Sequence, residues 1–312
     1  MRRWHGRMTA TLAIDGRQLY TAVPLAGLAA PDALPFPLFL QTGRHTWVLY
    51  REVHTHVQLD QVERLTGEGV RELFIHNRDL PAYLDRIEQS LDEVLLDRRV
   101  PIERRADVLH GVAVRVATEV LAHPPDRDGI ARAQRLLVNS SSLVLRENRA
   151  FSALRALLGA SHTLAQHSVT VGFLAMGLAR HALSAEPNVM LMAGLAGLFH
   201  DVGRLGYEAL EHDPEHCQRG HDLLAGLGLP PIVCEAALGH HERWDGTGFP
   251  RAQRGGSISE FARVVGLADV FDKVYSSQQP KVGVFDAMRI MAQAYRGCFE
   301  ERLAVDFVKL FR

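Results

Sequence analysis

The chain has 312 residues, of which 47% are apolar, enough length and hydrophobic material for one large domain or two ordinary ones. Lys+Arg total 35 against 36 Asp+Glu, and the basic residues are scattered arginines with lysine only at positions 273, 281 and 309. That balance excludes capture of polymeric nucleic acid or of an anionic membrane by a broad basic face.

At the N-terminus, Met1-Arg2-Arg3-Trp4-His5 leads into no apolar segment of the kind a secretion signal needs. Met8 is a second candidate start, which would leave residues 1–7 outside the native chain. The apolar stretch from Ala22 to Leu40 is interrupted by Pro24, Pro31, Asp32, Pro35 and Pro37. The longest clean apolar run, Val189 to Phe199, is shorter than the roughly 20 residues a spanning helix requires and reads as a buried core helix. No membrane association is expected. Cys217, Cys234 and Cys298 form no CxxC pair and cannot all pair with one another, so a reducing cytoplasm is the expected compartment.

In chain order, residues 38–42 and 46–50 read as two short strands around Gly43-Arg44, and 58–65 as a short helix ending near Gly67 and Gly69. A strand follows at 72–76. Asp79 then opens a helix expected to run to Leu96, with Leu80, Tyr83, Leu84, Ile87, Leu91, Val94 and Leu95 on one face. From Pro101 the pattern turns helical, over 102–123 and 130–145, broken by Pro124-Pro125-Asp126-Arg127-Asp128-Gly129. The expected organisation is α+β overall: a small α/β domain over 1–97, a helical linker over 98–150, and an all-helical domain over 151–312. The first domain holds no chemical motif and suits regulation or partner binding. His54 and His56 in it read as surface residues.

The compositional oddity is 16 histidines. His200-Asp201 closes the apolar helix that begins near Pro187, placing an imidazole beside a carboxylate where both can reach one metal ion or bridge two. His167 lies one helix upstream and His240-His241 downstream. Asp269 sits among Leu267, Ala268, Val270 and Phe271, so its carboxylate is expected in a semi-buried site, where a metal is the best available partner.

These residues resemble a known family, the HD-domain phosphohydrolases, and within it the HD-GYP group. The run His240-His241-Glu242-Arg243-Trp244-Asp245-Gly246-Thr247-Gly248-Phe249-Pro250 stands where the family has HHExxDGxGYP. His200-Asp201-Val202-Gly203-Arg204 stands for its HDIGK, His167 for its first histidine, and the stretch from Gly255 to Asp272 for its downstream segment. The resemblance covers roughly half the chain. It implies an all-helical HD-type domain that hydrolyses the bacterial second messenger cyclic di-GMP, to linear pGpG, to GMP or to both.

The resemblance also implies a binuclear metal centre. One ion would be held by His167, His200, Asp201 and Asp269, and a second by the bridging Asp201 with His216, His240 and His241. His216 fits the family's HPxxGxxxL pattern through Gly220 and Leu224; His221 is the other candidate, with Ala225 and Leu229 at those positions. Imidazole and carboxylate donors without thiolate suit Fe or Mn foremost, then Ni or Zn, and not Ca. Cys217 beside His216 reads as a packing residue. Two such ions can activate a bridging hydroxide and neutralise phosphodiester charge. Arg204, in place of the family's lysine, is expected to pair with a phosphate oxygen and to assist catalysis with Asp201. Glu242 and Asp245 are expected to orient the loop and the ligand rings.

Three departures bear on substrate. Thr163 occupies the place of a glutamate that supplies a third ion in some members, which favours two ions. Phe249 replaces the GYP tyrosine and loses its hydroxyl. The Arg-Pro-Tyr segment after the last aspartate is replaced by Ser276-Ser277-Gln278-Gln279-Pro280-Lys281, where Lys281 substitutes in part. Altered grip leaves open a catalytically weak or inactive cyclic di-GMP receptor that signals by protein contact, or a hydrolase of another cyclic dinucleotide or of a linear one. The helices over 101–146 are candidates for a homodimer contact.

Overall fold

In the computed structural model, residues 19–25, 28, 33–43, 46–70, 72–147, 149–155, 163–207, 213–278 and 282–311 are described. Two compact units, Met1–Val112 and Ala113–Arg312, divide the chain. A small antiparallel sheet lies in the first, and with 63% helix among the described residues the protein is α+β, ending in a helical domain.

The first unit contains β1 (Tyr20–Pro24), β2 (Leu38–Gly43), β3 (Thr46–Arg51), α1 (Leu59–Gly67), β4 (Glu72–His76), α2 (Leu80–Gln89), α3 (Leu91–Leu96) and the start of α4 (Ile102–Val120). The sheet order is β1-β4-β2-β3, every pairing antiparallel, with Tyr20 opposite His76 and Leu40 opposite Val48. Two-residue periodicity sorts its faces. Leu73 and Ile75 of β4 are fully buried, while Phe74 between them points to the side where Tyr20 and Trp47 stack with ring centroids 5.1 Å apart. Strand β1 is absent from the sequence reading, because its partner β4 lies some fifty residues downstream and no hairpin turn marks it.

The helix expected from Asp79 to Leu96 is instead two helices and a leading 3-10 turn over Asn77–Asp79. Ser90 leaves helical geometry (φ −122°, ψ 27°) between α2 and α3. The stripe Tyr83, Ile87, Leu91, Val94 stays buried across the break, which is why the apolar spacing shows no interruption. The buried Arg105 guanidinium closes the end of α3, donating to the carbonyls of Leu95 and Val100 at 2.9 and 3.1 Å.

The second unit holds the rest of α4, then α5 (Arg127–Arg146), α6 (Ala150–Arg155), α7 (Leu164–Ala182), α8 (Pro187–Phe199), α9 (His216–Gly226), α10 (Pro231–Gly239), α11 (Glu260–Ser277), α12 (Val284–Ala294) and α13 (Glu301–Lys309). Helix α8 is apolar on every side and forms the centre, packed by α5, α7, α10 and α11. At Gly197 of α8 a Cβ would lie 2.8 Å from the Val171 carbonyl, so the backbones of α7 and α8 meet there. Helix α7 starts at Thr163, whose hydroxyl accepts from the Gln166 amide at 3.2 Å in a capping box. That hydroxyl is therefore committed to the helix end. Met176, Met190, Met288 and Met291 lie in the core, and His110 is half-buried.

Candidate metal centre

Four helix ends and one helix middle bring the ligand candidates together. His200 and His240 cap the C-termini of α8 and α10, His216 opens α9, His167 lies in the first turns of α7, and Asp269 is in the middle of α11. Asp201 begins a 3-10 turn over Val202–Arg204. Gly203 in that turn touches α9 directly: a Cβ there would sit 2.5 Å from the Gly220 amide nitrogen. The glycine thus lets the aspartate loop and the His216 helix share one wall of the site.

The side chains converge on one buried cluster. His167 Nε2 lies 3.0 Å from Asp269 Oδ1 and 3.3 Å from His200 Nε2. Asp201 Oδ1 lies 3.2 Å from His216 Nε2 and 3.5 Å from His240 Nε2, and those two nitrogens are 3.4 Å apart. His241 completes the group, its ring 4.0 Å from that of His240. His200, Asp201, His216, His240, His241 and Asp269 are all buried and His167 is nearly so. His221 is elsewhere, its Nδ1 2.9 Å from Asp222.

Local hydrogen bonds orient the rings. His200, His216 and His240 each set Nδ1 against the carbonyl three residues back, that of Gly197, Asp213 and Ala237 respectively. A carbonyl only accepts, so each Nδ1 carries the hydrogen and each Nε2 faces inward. His167 is oriented differently: its Nδ1 meets the buried Asp272 carboxylate at 2.7 Å. Asp272 was missed in the sequence, where it passes for one more position on a core helix. Its spacing of three from Asp269 is the signal, since i,i+3 residues share a helix face.

Charge in the cluster is balanced by protons and two outer cations. Burial works against ionising His200, yet the carboxylates of Asp201 and Asp269 push it up to about 9. Burial likewise opposes the Asp201 and Asp269 charges. His200 beside Asp201, and chiefly Lys273 beside Asp269, hold both carboxyls well below their usual range. His240 is driven down to about 4 mainly by burial, and burial plus the neighbouring His240 lowers His241 as well. Arg204 Nε lies 2.9 Å from Asp201 Oδ1, so its guanidinium is engaged with a ligand candidate. Lys273, a second residue the sequence reading missed, places Nζ 2.8 and 2.9 Å from the two oxygens of Asp269, four residues back on α11.

The donors fit metal ions. Asp201 Oδ1 and Asp269 Oδ1 are buried and accept no hydrogen bond, although Arg204 Nε and Lys273 Nζ stand beside them. Those ion pairs leave the oxygens without a hydrogen-bond donor, so lone pairs remain for a metal ion among the inward Nε2 atoms. Ligand atoms of His167, His200 and Asp269 lie within 4.8 Å of one another, as do those of His200, Asp201 and His240, and those of His216, Cys217, His240 and His241.

The surrounding loop is braced by the acidic residues of the motif. Glu242 accepts from the amides of Arg251 and Gln253 at 2.7 and 2.9 Å, and Asp245 from the Thr247 amide and hydroxyl at 3.0 and 2.7 Å. Phe249 lies against His241, centroids 4.7 Å apart and planes tilted by 33°. Ser276, Ser277 and Gln278 finish α11 and bring no cation. Lys281 falls outside the described residues, as do His162 and His212.

Comparison with known proteins agrees with this geometry. The HD domain family model matches residues 133–299, over half of the chain. The chain is 34% identical over 195 residues to the cyclic di-GMP phosphodiesterase PA4108 of Pseudomonas aeruginosa, a match covering 57% of this chain and 47% of that protein. It is 32% identical over 142 residues to the 3'3'-cGAMP-specific phosphodiesterase 1 of Vibrio cholerae, covering 40% of this chain and 32% of that one. The chain thus spans about half the length, or less, of these curated relatives. Among solved structures, Bd1817, a HDG"Y"P protein from Bdellovibrio bacteriovorus, has the same fold, with TM-score 0.66 and 18% identity over 93% of this chain and 99% of that one. With the family match spanning more than half its residues, the chain belongs to the HD-domain family, and its run at 240–250 resembles the HD-GYP motif with Phe249 at the motif's tyrosine.

Proposed function

We propose that the chain is a metal-dependent phosphodiesterase that hydrolyses cyclic di-GMP to linear pGpG, to GMP or to both, in bacterial second-messenger signalling. The observation that carries this reading is the convergence of four imidazole Nε2 atoms on two buried carboxylate oxygens, Asp201 Oδ1 and Asp269 Oδ1, flanked by one cation each. His167, His200, Asp201 and Asp269 would hold one divalent ion, and Asp201, His216, His240 and His241 the other, Fe or Mn foremost and Ni or Zn as alternatives. When bound, such ions supply an activated water and positive charge for a phosphodiester.

The protein's own contribution is orientation and grip. Backbone carbonyls and Asp272 fix which ring nitrogens face inward. Arg204 anchors Nε on Asp201 and keeps its terminal nitrogens for a phosphate oxygen. The half-buried Phe249 ring offers an apolar face to a guanine base. Lys281 is proposed to assist at the substrate edge. The names of the relatives support the substrate class, cyclic di-GMP for one and 3'3'-cGAMP for the other.

The test is metal-free protein reloaded anaerobically with Fe or Mn and incubated separately with cyclic di-GMP and 3'3'-cGAMP. Turnover of the first is expected; none by a sample holding two ions overturns the enzyme reading. Asp201→Ala is expected to lose both ions, and retention of both overturns the ligand set. A second reading, a receptor that binds cyclic di-GMP without hydrolysing it, is favoured by the missing Phe249 hydroxyl and the absence of a cation at 276–278. Tight binding without turnover would establish it.

In either case the N-terminal unit is proposed to regulate the domain or to bind a protein partner, and the helices over 101–146 to make a homodimer contact. Among the described residues no helix is long and apolar enough to cross a membrane. Three free thiols suit a cytoplasmic location.

A further inference from the structure

Cys217 is the one thiol in the ligand cluster. Its side chain is fully buried, and its Sγ lies 3.5 Å from His216 Nε2. Sγ shares a 4.8 Å circle with ligand atoms of His216, His240 and His241. The neighbouring Asp201 Oδ1 is buried, faces His216 and His240, and is ion-paired with Arg204 Nε at 2.9 Å without a hydrogen bond.

The distances are those of donors around a common ion. Neighbouring donors on one zinc-sized ion, nitrogen at about 2.05 Å and sulfur at about 2.3 Å, lie about 2.9–3.4 Å apart as N···N pairs and about 3.1–3.6 Å apart as N···S pairs, from octahedral to tetrahedral angles. The two separations measured here are 3.4 Å between His216 Nε2 and His240 Nε2, and 3.5 Å between His216 Nε2 and Cys217 Sγ. The competing account is an S–H···N hydrogen bond from Cys217 to the His216 ring, which has the same length and is broken by neither packing nor burial.

We propose that Cys217 is a metal ligand, adding sulfur to the nitrogen and oxygen donors of the Asp201, His216, His240 and His241 subsite, while the His167, His200, Asp201 and Asp269 subsite keeps nitrogen and oxygen donors only. The two positions then differ in softness. Thiolate shifts the first toward Zn or another thiophilic first-row ion, and the second, with two carboxylates and no sulfur, stays open to Mn or Fe. On binding, the S–Co or S–Zn bond forms, the S–H bond breaks, and the proton leaves to solvent. This inference rests on the metal centre proposed above and assigns its two halves different preferences.

The test uses the full chain, freed of metal and titrated with Co(II) alone, read by absorption rather than activity. A sulfur-to-cobalt charge-transfer band in the near ultraviolet is expected. It should disappear in Cys217→Ser, which should still show the visible d–d bands of bound cobalt, and it should persist in Cys234→Ser and Cys298→Ser. Cobalt affinity of that subsite should fall by more than the ~10–100-fold that loss of an outer partner costs. Zinc-edge X-ray absorption on the zinc-loaded native protein gives a reading independent of any variant, with sulfur expected at about 2.3 Å. Cobalt that binds without the charge-transfer band, or a band surviving Cys217→Ser, overturns the ligand role and leaves the metal centre standing. No cobalt uptake at all overturns both.

Discussion

The outer contact between His167 and Asp272 offers the sharpest test of how the site is held. His167 Nδ1 and Asp272 Oδ2 are 2.7 Å apart, and Asp272 is 1% exposed. The contact fixes the ring so that Nε2 points at Asp269 Oδ1, 3.0 Å away, and the negative charge behind the imidazole raises its basicity toward an ion. Asp272→Asn keeps the shape and an acceptor oxygen but removes the charge. Charge-assisted hydrogen bonds are about twice as strong as neutral ones, so part of the orientation survives. The expected loss of metal affinity at the His167 subsite is near the lower end of the ~10–100-fold range for such partners, or about 1.4 kcal/mol. Asp272→Ala leaves a buried N–H without an acceptor. It should approach the upper end, with a further ~1–3 kcal/mol lost from the metal-free fold. Competition against a chromophoric chelator gives the affinities, and thermal melts of the metal-free variants separate folding from binding. In a His167→Ala background, Asp272→Asn should change affinity no further. An affinity within twofold of the native value in the single Asn variant would refute the reasoning, because His167 would then be oriented without Asp272 or would not bind the ion.

Lys273→Met removes the ammonium that faces both oxygens of Asp269. With the lysine side chain 44% exposed, the pair is worth at most about 1 kcal/mol, so calorimetry should show metal binding tightened by up to ~5-fold, and weakened binding would contradict a competing role. In metal-free protein, the raised His200 contributes stability that is whole below pH 6.5 and lost as pH rises through about 9; His167, raised by Asp269 and Asp272 against burial, adds in the same direction. The melting temperature of chelated protein should therefore fall between pH 7 and 10 more than that of metal-loaded protein, and parallel curves would refute the pairing. Phe249→Tyr restores a hydroxyl at the ring that lies against His241. It is expected to leave metal content unchanged and to lower KM for cyclic di-GMP, whereas a loss of metal would place the ring's role in holding His241.

Much of the site was legible because its ligands come in short local runs. His200-Asp201 and His240-His241 each put two donors on adjacent residues at a helix end, where a dipeptide is enough to reveal them. The same helix ends explain the inward Nε2 atoms: a histidine there meets the carbonyl three residues back, a contact the backbone dictates. What could not be read depends on partners far away in sequence. Asp272 and Lys273 look like ordinary positions on α11 until α7 delivers His167 to one and the fold buries Asp269 beside the other. Strand β1 is hidden for the same reason, since Tyr20 finds His76 only after the chain has passed through β2, β3 and α1. The break at Ser90 was hidden for the opposite reason: both short helices bury one continuous stripe, so the local pattern is that of a single helix. Cys217 lies between these cases. A cysteine beside a histidine is weak evidence on its own, and it becomes a ligand candidate only because α10 carries His240 and His241 to the same point. The choice of metal proposed for this chain is then set by a residue next to the family pattern rather than by the pattern itself.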